Sequence, residues 1–174
     1  MSKTDVLNGC RTGIPLEEAR RIAAAIVEKL RPFCERIEVA GSIRRERKLV
    51  NDVDIVAIPQ ELCLSMLTET IKGLGDLAMD GLKIKRFRYE DVSVDVYLAT
   101  RYSWATLLLI RTGSAENNRR LCGSAKLKGW TLKANGEGLL NEAGMRIAGD
   151  IELSIYNALG LPYQRPQDRE VTWR

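Results

Sequence analysis

The stretch that most limits how this chain can fold is VAGSIRRERKLVNDVDIVAIP, residues 39–59. Val53, Ile55, Val56, Ala57 and Ile58 form a short apolar run that Pro59 closes, the pattern of a buried strand. Side chains at i and i+2 of a strand share a face, so Asp52 and Asp54 project together while Val53 and Ile55 turn to the core. Two carboxylates side by side repel, and burial increases the cost. A divalent cation such as Mg²⁺ relieves that repulsion and keeps coordination positions for water or phosphate. The plainer alternative is a surface Asp-x-Asp paired with the adjacent arginines. Asp95 offers a third carboxylate on the polar side of a second strand. If the two strands are neighbours, all three converge.

The surrounding pattern predicts an α+β chain with a mixed sheet. Pro15, Glu17 and Glu18 open a helix whose apolar face is Leu16, Ala19, Ile22, Ala23, Ile26 and Leu30. Ile37 and Val39 predict a short strand running into Gly41-Ser42, and residues 62–72 predict a helix. Val92, Val94, Val96 and Leu98 alternate with Ser93, Asp95 and Tyr97, and residues 82–89 supply a hairpin partner across a turn at Glu90-Asp91. About two helices cover this sheet. Beyond a boundary placed near residue 100, the spacing predicts helices over 102–110 and 116–128. Short strands follow around Asn135-Gly136 and Ala143-Gly144, and a last helix over 150–159 is closed by Gly160 and Pro162.

The composition narrows the chemistry. The 174 residues contain no histidine, which removes Ser-His and Cys-His nucleophiles, His-ligated zinc and imidazole acid–base catalysis. Cys10, Cys34, Cys63 and Cys122 are scattered without a CxxC pair and read as reduced thiols of an intracellular protein. There is no transmembrane-length apolar run and no apolar leader after Met1, so neither a membrane span nor secretion is expected. The formal charge of +4 is a mild bias toward polyanions. Two basic clusters, Arg44/Arg45/Arg47/Lys48 and Lys83/Lys85/Arg86/Arg88, lie close in sequence to the aspartates and favour phosphate contacts. Gly41 permits close backbone approach, Ser42 offers a hydroxyl, and Arg44 and Arg45 supply charge for a triphosphate.

Gly41-Ser42-Ile43-Arg44-Arg45 followed by Asp52-x-Asp54 resembles the nucleotidyltransferase superfamily signature, and more narrowly the family X DNA polymerases related to polymerase beta. The resemblance extends over roughly residues 13 to 171. It takes in Ile14–Ala19, Val94-Asp95-Val96, Thr112-Gly113-Ser114 with Asn118, Asp150-Ile151, and Tyr163, Pro166, Arg169 and Glu170 near the end. It implies a nucleotidyltransferase palm over 1–100 and a C-terminal nucleotide-binding, fingers- or thumb-like lobe over 101–174. It also implies a monomeric DNA-directed DNA polymerase acting on a DNA primer-template and a nucleoside triphosphate, in DNA repair. By the resemblance, Asp52 and Asp54 bridge two Mg²⁺ ions, with Mn²⁺ as a substitute. Asp95 binds the catalytic ion and accepts the primer 3′-hydroxyl proton. Gly41, Ser42 and Arg45 hold the triphosphate, and Thr112, Gly113, Ser114 and Asn118 sit against the sugar and base. No lyase or helix-hairpin-helix region precedes the palm, so recognition of a gap's 5′-phosphate is not expected.

The chain departs from the family pattern at three places. Ile110 and Arg111 stand where an aromatic pair is common, Ala115 where an acidic residue is frequent, and Cys122 where a template-contacting arginine is typical. These changes predict weak sugar discrimination and low fidelity. Two other readings remain at this stage: a nucleotidyltransferase acting on RNA, protein or a small molecule, and a non-catalytic nucleic-acid-binding module.

Overall fold

Residues 13–170 are described by a computed structural model. In chain order they form β1 (Ile14–Pro15), α1 (Leu16–Leu30), a 3-10 turn (Arg31–Phe33), β2 (Cys34–Val39), α2 (Gly41–Arg44), β3 (Leu49–Val50) and β4 (Asp52–Pro59). Then come α3 (Leu64–Leu74), β5 (Asp76–Asp80), β6 (Ile84–Tyr89), β7 (Val92–Leu98), α4 (Trp104–Thr112) and α5 (Ala115–Leu127). The remainder holds β8 (Thr131–Lys133), β9 (Gly138–Leu140), β10 (Arg146–Ala148), α6 (Glu152–Leu159) and a 3-10 turn at Pro166–Asp168. The architecture is α+β, as expected. Cys10 lies outside the described residues, as does residue 171 at the edge of the resemblance.

The first half is built on a five-stranded sheet of order β2-β4-β7-β6-β5, in which only β4 and β7 run parallel. The apolar stripe of α1 (Ala19, Ile22, Ala23, Ile26, Leu30) packs with Leu67 and Ile71 of α3 on one face. That face presents Val53, Ile55, Phe87, Val94 and Val96. Each fully buried Leu or Ile contributes about 1.5–3 kcal/mol by removal from water. The opposite face presents Val56, Ile58 and Tyr97 to Trp104, Ala105, Leu107 and Leu108 of α4. A third apolar cluster joins Leu109, Leu121, Leu132, Leu139, Ile155 and Tyr156, binding α4, α5 and α6 to the small antiparallel sheet β10-β9-β8.

Several boundaries differ from the sequence expectation. α3 starts at Leu64, two residues after the expected Leu62, which is 93% exposed with φ 65. α4 is displaced toward the C-terminus, spanning Trp104–Thr112 instead of 102–110, because Thr100 and Ser103 form a mutually hydrogen-bonded turn ahead of it. β5 was not expected at all. Its sequence, Asp-Leu-Ala-Met-Asp, is mostly exposed and lacks a β-branched residue; pairing with β6 makes it the sheet's edge. No helix of the described residues is long and apolar enough to cross a membrane. Cys34, Cys63 and Cys122 are free, and burial pushes the Cys34 thiol up to about 11, leaving it a core group of little reactivity.

Candidate active site

β4 places Asp52 and Asp54 on one side of the sheet while Val53 and Ile55 are completely buried on the other. The parallel register with β7 sets Asp54 beside Asp95 and Asp52 beside Ser93. Three carboxylates therefore meet at the C-terminal side of the β2-β4 connection. Burial first, then repulsion from Asp52 and Asp95, pushes Asp54 up to about 7, against the pull of Tyr97 and Arg111. Asp52 is also raised, by burial of its carboxyl and then by Asp95, with Arg86 and Arg45 opposing.

Gly41 is what lets the preceding turn close over this group. Its φ is 57, and a Cβ there would lie 2.0 Å from Asp54 Oδ2. The Ala40 amide donates to the Asp54 carbonyl at 2.8 Å, fixing the turn on β4. Ser42 then presents a buried hydroxyl that has no hydrogen-bond partner. A buried orphan hydroxyl costs about 1–3 kcal/mol, which a ligand oxygen at the same place would recover.

The third aspartate has a partner. Arg86 on β6 faces Asp95 across the hairpin and holds it bidentately, Nε to Oδ1 and Nη2 to Oδ2, each at 2.6 Å. The Tyr97 hydroxyl donates to Asp95 Oδ2 at 3.0 Å. Asp95 is 5% exposed, so this charge-assisted fork both neutralises and orients it. Among the described residues no three carboxylate or thiolate groups stand arranged to hold an ion, with both Asp95 oxygens turned to Arg86. The donor set still fits a hard cation: three mutually repelling carboxylates, with hydroxyl and open space beside them.

α2 is tied to the C-terminal half by Arg44 and by Arg45, the residue that caps its end. Arg44 donates to the Thr112 hydroxyl at 2.8 Å and to both oxygens of Glu152 at 2.8 and 3.3 Å. Arg169, completely buried, grips the same carboxylate with two bonds of 3.0 Å. Burial raises the Glu152 pKa, but the bonds from Arg169 and Arg44 outweigh it and hold the group below the usual carboxylate range. Arg45 donates to the Thr112 carbonyl at 2.6 Å and pairs with Glu170.

The Thr112-Gly113-Ser114 segment joins α4 to α5. Thr112 is fully buried and bonds the two arginines, and the Ser114 hydroxyl caps α5 by accepting from the Asn117 amide at 3.1 Å. Asn118 donates to the Ile110 carbonyl at 2.8 Å, and its Oδ1 is buried without a partner. A Cβ at Gly113 would lie 2.4 Å from that oxygen, so the glycine permits the approach. Arg111 stacks on the Tyr97 ring, 4.1 Å from its centroid.

These groups line two adjoining clefts. One of about 530 Å³ holds Ser42, Arg45, Asp54, Asn118 and Glu170; the other, about 550 Å³, holds Arg86, Arg88, Ser93 and Asp95. Asp52 borders both. The structure thus brings together Gly41, Ser42, Arg45, Asp52, Asp54, Asp95, Gly113, Ser114 and Asn118, while Thr112 sits behind them as a buried brace. Sequence reading assigned no role to Tyr97, Glu152 or Glu170, and it placed Arg86 in a basic cluster favouring phosphate contacts, whereas its guanidinium is engaged by Asp95. The Arg86 contact had a readable signal: a two-residue turn at Glu90-Asp91 puts residue 86 opposite residue 95. Both turn residues do have positive φ, 46 and 63. The Glu152 and Glu170 contacts cross more than a hundred residues and carried no such signal.

Comparison with known proteins supplies relatives. Residues 107–170 match the DNA polymerase beta thumb family. The chain is 32% identical over 165 residues to the DNA polymerase/3'-5' exonuclease PolX of Bacillus subtilis (strain 168), covering 90% of this chain and 28% of that protein. It is 25% identical over 188 residues to DNA polymerase lambda of Rattus norvegicus, covering 90% and 33% respectively. The chain therefore spans about a third of the length of these curated relatives. The fold is shared with Leishmania infantum polymerase beta, crystallised as a ternary P/T complex, at a TM-score of 0.79 and 21% identity. That match covers 91% of this chain and 77% of the other.

Proposed function

We propose that the chain is a family X DNA polymerase, a reading supported by the thumb match over residues 107–170 and the 32% identity to PolX, and that it adds nucleotides to the 3′-hydroxyl of a DNA primer under the direction of a template. The observation that carries this reading is the meeting of Asp52, Asp54 and Asp95 on neighbouring strands, beneath a Gly41-Ser42 turn whose hydroxyl lacks a partner. Asp52 and Asp54 would hold Mg²⁺ or Mn²⁺, and Asp95 would join them on leaving Arg86. Such ions supply charge neutralisation and polarisation of the phosphates. Ser42 and Arg45 bind the triphosphate; Asn118 and the backbone at Gly113 face its sugar and base. Asp95 accepts the proton of the primer hydroxyl, work that a histidine-free chain assigns to a carboxylate.

In this reading residues 1–100 form the palm and 101–174 the nucleotide-binding lobe, and the protein acts as a monomer in DNA repair. The deciding assay is primer extension with Mg²⁺ on templated, gapped and single-stranded DNA, using all eight nucleotides. Templated extension on DNA is expected. Transfer only to RNA or to a small acceptor would move the chain to the wider nucleotidyltransferases. Arg45→Ala should weaken triphosphate binding more than DNA binding, because a triphosphate concentrates charge at one point. The reverse order would place Arg45 on the DNA surface.

A further inference from the structure

We propose that Glu170 is a stand-in for the nucleotide's phosphate: it holds Arg45 in the substrate-free protein, and a triphosphate must displace it to bind. The inference rests on the reading of Arg45 as a triphosphate ligand.

Arg44, at the end of α2, and Arg45, its cap, are paired in different ways. The Glu152 carboxylate that holds Arg44 is shared with the fully buried Arg169, and its side chain is only 11% exposed. That pair is a fixed part of the core between α2 and α6. Glu170 is 27% exposed, and both it and Arg45 line the cleft that contains the orphan Ser42 hydroxyl. Arg47 approaches the same Glu170 oxygen, with its Nε at 3.8 Å. One carboxylate thus neutralises two guanidinium groups at the mouth of the proposed phosphate site.

A carboxylate lining an anion site repels the anion unless it moves. Here only the side chain has to move. The backbone beside it is anchored through buried Arg169, whose carbonyl accepts the Ser114 amide at 3.3 Å. Arg45 keeps its bond from Nη1 to the Thr112 carbonyl, at 2.6 Å, so its guanidinium stays aimed while Nε changes partner. A triphosphate brings several negative charges to a site that Glu170 holds with one. When the product pyrophosphate leaves, Glu170 retakes Arg45. Glu170 therefore weakens the binding of both triphosphate and pyrophosphate, and it speeds product release.

The test is calorimetric titration of inorganic triphosphate, which carries neither base nor sugar. The full chain is titrated as wild type, Glu170→Gln, Arg45→Ala and the double variant, without divalent ion. Glu170→Gln is expected to tighten binding about five- to tenfold, the scale of a partly exposed ion pair. Arg45→Ala is expected to weaken binding, and in its background the Glu170→Gln effect should vanish. Glu170→Ala, checked for an unchanged melting temperature, serves as a second variant. Unchanged or weaker binding in both Glu170 variants, with Arg45→Ala still weakening it, would overturn the stand-in role alone. Binding indifferent to Arg45→Ala would overturn both the inference and its premise.

Discussion

At position 41 the backbone φ is 57, and the Cβ of any other residue would fall 2.0 Å from an Asp54 carboxylate oxygen. Even alanine must therefore move the turn or the aspartate. Gly41→Ala should cost about 1–3 kcal/mol of stability and lower nucleotide addition by displacing Asp54. Thermal denaturation alongside primer extension checks this, and a fully active, equally stable variant would contradict the packing described. Asp95→Ala should abolish addition, a loss of about a thousandfold or more, with the fold kept as judged by circular dichroism. Extension within about tenfold of wild type would remove Asp95 from its proposed role. Arg86 is expected to act in the opposite sense, since it engages both Asp95 oxygens, which the proposed cation would need. Arg86→Ala should raise Mn²⁺ affinity of the substrate-free protein by about tenfold, read from the free-ion spin resonance signal. Weaker or equal binding would mean that Arg86 serves the site only as a brace.

Besides the packing of α4 on the sheet, the two halves are joined by the ion pair between α2 and α6. Glu152→Ala leaves Arg169, 0% exposed, without its counter-charge, and should destabilise the protein by about 3–5 kcal/mol. The acid response follows from the same pair. Glu152 titrates below its unfolded value, so its contribution is complete above about pH 4.3 and is lost as pH falls through the folded pKa. Urea unfolding from pH 5 downward should show a smaller drop for Glu152→Gln than for wild type. Local chemistry made most elements readable: the stripe on α1, the Pro59 stop of β4, and the hairpin turn that sets Arg86 against Asp95. What escaped were features decided by tertiary partners. β5 is an edge with a weak strand sequence, held because β6 offers it a ladder. Glu170 meets Arg45 only through the folding of α4–α6. The last turn of α4 has a consequence of its own. Ile110 is buried in the C-terminal cluster and the Arg111 guanidinium sits over the Tyr97 ring, so in the proposed nucleotide site neither would supply an aromatic wall against a 2′-hydroxyl. Single-turnover incorporation should show a preference for dNTP over rNTP below about ten thousandfold, or about 5.5 kcal/mol. A larger ratio would require another residue against the ribose.

Across the whole molecule, charge is divided between fixed pairs and an open field. Arg44, Arg45 and Arg169 are tied to Glu152 and Glu170 between the halves. Lys83 and Arg88 near the aspartates, and Arg119, Lys126 and Lys128 on or after α5, are exposed. If the acceptor is DNA, these exposed cations neutralise backbone phosphates and release counterions, which a small acceptor does not do. With about four phosphates contacted, the slope of log affinity against log salt should be near −3.6. Affinity for a primer-template would then fall about 150-fold from 50 to 200 mM salt. Lys126→Gln with Lys128→Gln should shallow that slope by about two while leaving inorganic triphosphate affinity unchanged, since neither lysine lines the cleft of Ser42 and Arg45. A slope shallower than about −1 in the wild type would exclude a polyanionic acceptor and favour nucleotide transfer to a small molecule. A steep slope that the two lysines do not alter would shift the DNA track from α5 to the Arg88 side of the aspartates.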